Sequence, residues 1–166
     1  MRTRLIAVFA ATLLTFASAP LALADEYKLG WLVIDHPHAR ATPPNAPVSG
    51  GFMVIKNTGT TPDRLVGGST TFSAGFQVHE MKMDGDVMMM RPVEGGLEIP
   101  AGGQVEFKPG GYHIMFTGLF GQLKPGEKRK ARLVFENAGE IEVEFDVEDM
   151  KPGLDRTGHN ANGASE

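Results

Sequence analysis

The chain has 166 residues, 42% of them hydrophobic and 22% charged, which suits one globular domain and leaves little room for two. A formal charge of −4 excludes a general nucleic-acid binder, because holding phosphates needs a surplus of lysine and arginine. Cysteine is absent, which removes disulfides, thiolate nucleophiles, iron–sulfur clusters, thiolate zinc sites and blue-copper sites together, and 21 glycines with 11 prolines exclude a helical bundle.

Residues 1–24 read as a secretory signal. Arg2 and Arg4 give the positive start, a short apolar run follows, and Ala22-Leu23-Ala24 supplies the small residues of a cleavage site. The run is too short to span a bilayer, so no membrane span is expected in the mature chain. Export to a bacterial periplasm is the expected destination. From there, apolar runs of strand length alternate with turn signals, and no segment repeats apolar residues at helical period. The predicted strands are 29–34, 51–56, 64–67, 75–83, 87–93, 104–108, 112–117, 130–136 and 140–147. Their separators carry turn chemistry, among them Asn57-Thr58-Gly59, Asp84-Gly85-Asp86 and Pro109-Gly110-Gly111. Alternation is cleanest in the last strand, with Ile141, Val143, Phe145 and Val147 on one face and acidic residues on the other. Nine strands so spaced indicate a β-sandwich or barrel over residues 25–149, followed by a polar tail, 150–166, expected to be flexible. Trp31 is expected in the core.

The methionines carry the chemistry. Five of the ten residues from Met81 to Met90 are methionine, His79 precedes them, and His113-Ile114-Met115 follows. At strand period His79, Met81 and Met83 share a face, Met88 and Met90 share a face opposite Met89, and His113 stands with Met115 opposite Tyr112, Ile114 and Phe116. Thioethers are soft, neutral donors that select Cu(I), whereas Ca²⁺ and Mg²⁺ take oxygen and Zn²⁺ takes cysteine, histidine or carboxylate. Single methionines most often fill gaps in a core, and Met53 and Met89 are assigned that role. His79, Met90, His113 and Met115 are the candidate ligands.

The same residues resemble the ligand motif of the periplasmic copper chaperones called PCu(A)C. Ten residues separate His79 from Met90, as in that family, and 22 separate Met90 from His113-x-Met115, one more than its pattern. The extra residue is placed in the Glu94-Gly95-Gly96 turn. Ala39-Arg40-Ala41-Thr42, Gly50-Gly51-Phe52-Met53, Asp63-Arg64-Leu65-Val66 and the run from Lys108 to Met115 are also similar to the family. The resemblance implies a cupredoxin-like Greek-key β-sandwich that binds Cu(I) and delivers it towards the Cu(A) centre of cytochrome c oxidase, to its subunit or to an assembly factor. The one-residue departure leaves Met88 as an alternative to Met90. Met81 and Met83 are either an outer ring that catches copper or an apolar lining that excludes water.

Lesser candidates are His36-Pro37-His38, read as a loop feature with a second metal site as the minor alternative, and the lone His159 of the tail. Asp84 and Asp86 read as hairpin-turn residues rather than as ligands of a hard cation. An exported Cu(I) carrier, not an enzyme, is the leading reading. A copper-dependent redox enzyme and a structural sandwich with a methionine-rich surface are the alternatives.

Overall fold

The computed structural model describes residues 26–149, so the signal sequence and the tail with His159 lie outside the described residues. Eleven strands run β1 (Glu26–Leu29), β2 (Leu32–Arg40), β3 (Val48–Asn57), β4 (Asp63–Thr70), β5 (Ser73–Asp84), β6 (Val87–Pro92), β7 (Leu97–Ile99), β8 (Gln104–Phe107), β9 (His113–Leu119), β10 (Lys128–Phe135) and β11 (Gly139–Glu148). They form one hydrogen-bonded path in the order β6-β5-β9-β3-β2-β11-β10-β4-β7, with β1 on β2 and β8 on β3. Every pairing in the path is antiparallel except β11 with β2.

The path folds back on itself around a core, giving an all-β, cupredoxin-like sandwich. Phe116 of β9 meets Phe145 of β11 edge-on at 5.4 Å, although two strands separate β9 from β11 in the sheet. Gly68 of β4 lies against the Phe76 ring of β5 in the same way. Alternation decides which residues go inside. Ala131, Leu133 and Phe135 of β10 and Val143, Phe145 and Val147 of β11 are buried, whereas Lys130 and Glu142 of the opposite parity form an exposed ion pair.

Some sequence expectations change. The predicted strand 29–34 is broken by a hairpin turn at Gly30-Trp31, where Gly30 at φ +57° reverses the chain, so that Leu29 ends β1 and Leu32–Ile34 open β2. Trp31 therefore sits in a turn and is 70% exposed rather than in the core. Leu97–Ile99 forms β7, a three-residue strand too short to show a period, with Leu97 and Ile99 buried and Glu98 out. His36-Pro37-His38 is not a loop but part of β2, which bulges there: Asp35 pairs with Val54 and His38 with Phe52, so His36 and Pro37 stand against Met53 alone.

Gly51 is where the two sides of the core approach closest. A Cβ there would lie 2.7 Å from the Phe116 ring and 3.2 Å from that of Phe145, both fully buried. Gly51→Ala is expected to cost about 1–3 kcal/mol in a denaturant melt of the metal-free protein, since neither ring has room to retreat. Gly67→Ala, with open space at its Cβ, is expected to be neutral or slightly stabilising.

Candidate metal centre

Three neighbouring strands place the histidines and methionines. On β5, His79 pairs with His113 of β9 on one side and with Pro92 of β6 on the other. One step along β5, Gln77 pairs with Met115; one step the other way, Met81 pairs with Met90, and beyond it Met83 with Met88. Paired residues of antiparallel strands project to the same side, as do alternate residues within a strand. His79, His113, Met115, Met81, Met83, Met88 and Met90 therefore share one face. Val78, Ile114 and Phe116 fill the core on the other.

The two imidazoles form the middle of this face. Their centroids are 5.8 Å apart with the rings tilted by 56°. His113 is buried, and its Nδ1 lies 3.1 Å from the Gly111 carbonyl oxygen. Donation of Nδ1–H to that oxygen leaves the Nε2 lone pair free in the neutral ring. His79 uses the opposite tautomer: its Nε2 lies 3.2 Å from Gln77 Oε1, and its Nδ1 is buried with no hydrogen-bond partner. A buried nitrogen without a partner costs roughly 1–3 kcal/mol, so it points to a use outside the hydrogen-bond network. Burial, and after it the neighbouring His113, hold the His79 pKa below its ordinary 6.5. That keeps the ring neutral and able to coordinate.

The surroundings suit a soft monovalent ion. The charged residues of the β5–β6 hairpin, Glu80, Lys82, Asp84 and Arg91, alternate with the donors and so belong to the opposite face, where Arg91 bonds Asp84. On the β5–β6 hairpin the donor face carries no charged side chain. Gly85, at φ +63°, closes the hairpin at the first of its two turn residues, so the Asp-Gly-Asp turn expected from the sequence is present.

The four candidate ligands are not equally close. His79, His113 and Met115 occupy adjacent rows of the β5–β9 ladder. Met90 lies on the far flank of the histidine pair from Met115, two strands across and two rows along, about 17 Å away in an untwisted ladder. Two thioethers around one ion, with metal–sulfur bonds of about 2.3 Å, bridge only roughly 10 Å between their Cβ atoms. Met90 can reach the other three only by a curl of the hairpin across the histidines. Paired only with β5 and exposed along its whole length, β6 is the strand best placed to do so.

Met81, which parity places on the face of His79, is half-buried and directly opposite Met90. Met88, the expected alternative to Met90, is one row farther from His79. Met53 is in the core as expected, but Met89 is not: it is 41% exposed, on the charged face, with its sulfur 3.7 Å from Arg91 Nη2. A strand at the sheet edge with nothing packed on either side has no inside for Met89 to occupy.

Comparison with known proteins extends the picture. Lxx21020 of Leifsonia xyli subsp. xyli, a lipoprotein by name, is 31% identical over 103 residues, and the chain spans 62% of that protein's length. The copper-bound PCuAC domain from PmoF2 is 27% identical with a TM-score of 0.65, the match covering 75% of this chain and 98% of that one. The CuI form of DR1885 from Deinococcus radiodurans is 25% identical with a TM-score of 0.54, covering 76% and 83%. Residues 32–147, which include His79, Met90, His113 and Met115, match the LpqE-like family. With that match and the sandwich it spans, the chain belongs to the LpqE-like family and has the fold of the PCuAC domains.

Proposed function

We propose that this protein is an exported carrier of Cu(I), which holds the ion between His79, His113, Met115 and Met90 and passes it to an acceptor protein. The observation that carries the reading is the histidine pair, two imidazoles with centroids 5.8 Å apart, His113 held through Nδ1 by the Gly111 carbonyl and His79 with its Nδ1 buried without a partner. Four neutral donors, two of them thioethers, favour Cu⁺ over Cu²⁺ and over hard cations. The copper-bound form of the PmoF2 domain and the CuI form of DR1885 support copper as the cargo. The exposed thioethers of Met83 and Met88 give the ion an outer landing before the histidines and an exit by the same path. A site filled by four protein donors leaves no position for O₂, so the reading is a binding protein and not an oxidase. The acceptor in this proposal is the Cu(A) subunit of cytochrome c oxidase or a factor that assembles it, and the compartment is the periplasm, reached through the signal in residues 1–24.

A competition titration of the metal-free protein with Cu(I) against a chromophoric chelator tests the reading, with one equivalent expected. Met115→Ala is expected to weaken binding by about 10- to 100-fold, the scale that even outer-shell changes reach. Met90→Ala is expected to cost less, since Met81 lies opposite it, and the double change Met81→Ala/Met90→Ala to cost more than the two singles combined. Met89→Ala is expected to leave copper affinity unchanged and to move stability by no more than about 0.5 kcal/mol, as for other exposed positions.

Acidity gives a separate test. The folded pKa of His79 lies below its unfolded value of 6.5, so between the two the unfolded chain binds more protons. The metal-free protein is therefore expected to be most stable above pH 6.5 and to lose stability as the pH falls from there through the lowered value. Copper affinity is expected to hold through pH 6.5 and to fall at more acidic pH, as protons compete for the histidines. An affinity unchanged at about pH 4 would exclude histidine ligands.

A further inference from the structure

A second cluster of donors lies on β2, where the bulge sets the direction of two more histidines. Leu32 and Ile34 are buried before it and Pro37 and Ala39 after it, so the inward parity changes at His36. His36 takes a left-handed conformation at φ +48°, a region that histidine enters more readily than most residues other than glycine. Without the extra residue His38 would carry the parity of Leu32 and Ile34 and point into the core. With it, His38 sits on the outer face beside Asp146 of β11, and His36 reaches Glu148 on the same strand.

The three side chains converge. His36 Nε2 is 3.1 Å from Glu148 Oε1, the two imidazole centroids are 4.7 Å apart, and one ligand atom from each of the three residues lies within 4.8 Å of the others. His38 Nδ1 is 3.0 Å from the His36 carbonyl oxygen, so Nδ1–H donates there and Nε2 keeps its lone pair. A backbone carbonyl fixing the far nitrogen is the arrangement that orients most metal-ligating histidines. The Phe52 ring, buried and 5.4 Å from that of His38, walls the other side. An ordinary histidine–glutamate ion pair would account for the 3.1 Å contact, but not for a second imidazole held beside it with its ring oriented by a backbone carbonyl.

We propose that His36, His38 and Glu148 form a second metal site, for a borderline divalent cation, Cu²⁺ ahead of Zn²⁺. Two imidazoles and one carboxylate without a thioether are the donors such ions take, and Cu²⁺ exceeds Zn²⁺ in the general affinity order. Ligand atoms around a tetrahedral ion at about 2.0–2.1 Å stand roughly 3.3 Å apart, so the cluster needs to contract by about 1.5 Å at most. The site is separate from the Cu(I) centre. Ala39, Gly51 and Ile114 pair in one row on the core face, so His38, Phe52 and His113 share the opposite face, with Phe52 between the histidines. Two strand spacings, about 10 Å, separate the His38 and His113 backbones. One sheet face thus offers a soft site and a borderline site side by side.

The test titrates the full, chelator-stripped chain with Cu²⁺, followed by electron paramagnetic resonance, and then displaces it with Zn²⁺. One equivalent is expected to bind in the unaltered protein and in Met115→Ala alike. His38→Ala and Glu148→Gln are each expected to weaken Cu²⁺ at least tenfold while leaving the Cu(I) titration unchanged. His36→Asn, which tolerates the left-handed backbone, removes that ligand without removing the bulge, and circular dichroism checks each fold. A Cu²⁺ signal that disappears with Met115→Ala but survives His38→Ala would assign the cation to the first centre and overturn the proposal. So would Cu²⁺ binding indifferent to all three changes in the cluster, or no stoichiometric binding in the unaltered chain. Loss of Cu(I) binding alone would overturn the carrier reading and leave this site standing.

Discussion

The pairing of β5 with β9 is the constraint on which the rest depends. It sets His79 opposite His113 and, in the same stroke, Val78 opposite Ile114 and Phe76 opposite Phe116. A slip of one residue would turn the imidazoles towards the core and Val78 towards solvent, since strand side chains alternate with a period of two. The apolar side holds the register. Phe116 is fully buried and meets Phe72 at 4.9 Å and Phe145 at 5.4 Å, and Gly51 leaves it the room to do so. The donors are therefore aimed by packing on the far side of their own strands.

That arrangement separates stability from binding. The ion-free core closes with aliphatic and aromatic residues, whereas the donor face keeps a histidine nitrogen without a partner and a row of thioethers in solvent. An unsatisfied nitrogen in a sandwich with a well-filled core is a tolerable local cost, of the kind proteins keep where function needs it. The neutral face follows from the same alternation, which sends Glu80, Lys82 and Arg91 to the other side of the hairpin.

Much of this was legible in the residues, and what was not has physical reasons. Counting by twos sets His79 with Met81 and His113 with Met115, and β11 alternates so regularly that its inward residues could be named. Parity cannot say how far a strand lies from the core, so Met89, on the face opposite the donors, was placed inside when its strand has no inside at all. Trp31 failed for a related reason: an aromatic residue between two apolar runs looks like strand, but the glycine before it takes a positive φ and turns the chain outward. The proline of His-Pro-His suggested a loop because proline cannot donate to a ladder. A bulge accommodates it, and bulges leave no periodic trace in a sequence. The separation of Met90 from Met115 is a property of three strands together, which no single stretch of sequence contains.

The exposed thioethers make the chain sensitive to oxidants although it has no thiol. Met83, Met88 and Met90 are each about half exposed, where peroxide can reach them. Oxidation to the sulfoxide replaces a soft sulfur donor by a hard, polar oxygen, and enzymatic reduction restores it. Because β6 pairs with β5 alone among the described strands, the sandwich would survive the change. In the carrier proposed above, such oxidation would release the cargo under oxidative stress and repair would restore the capacity to carry it, with the fold intact throughout.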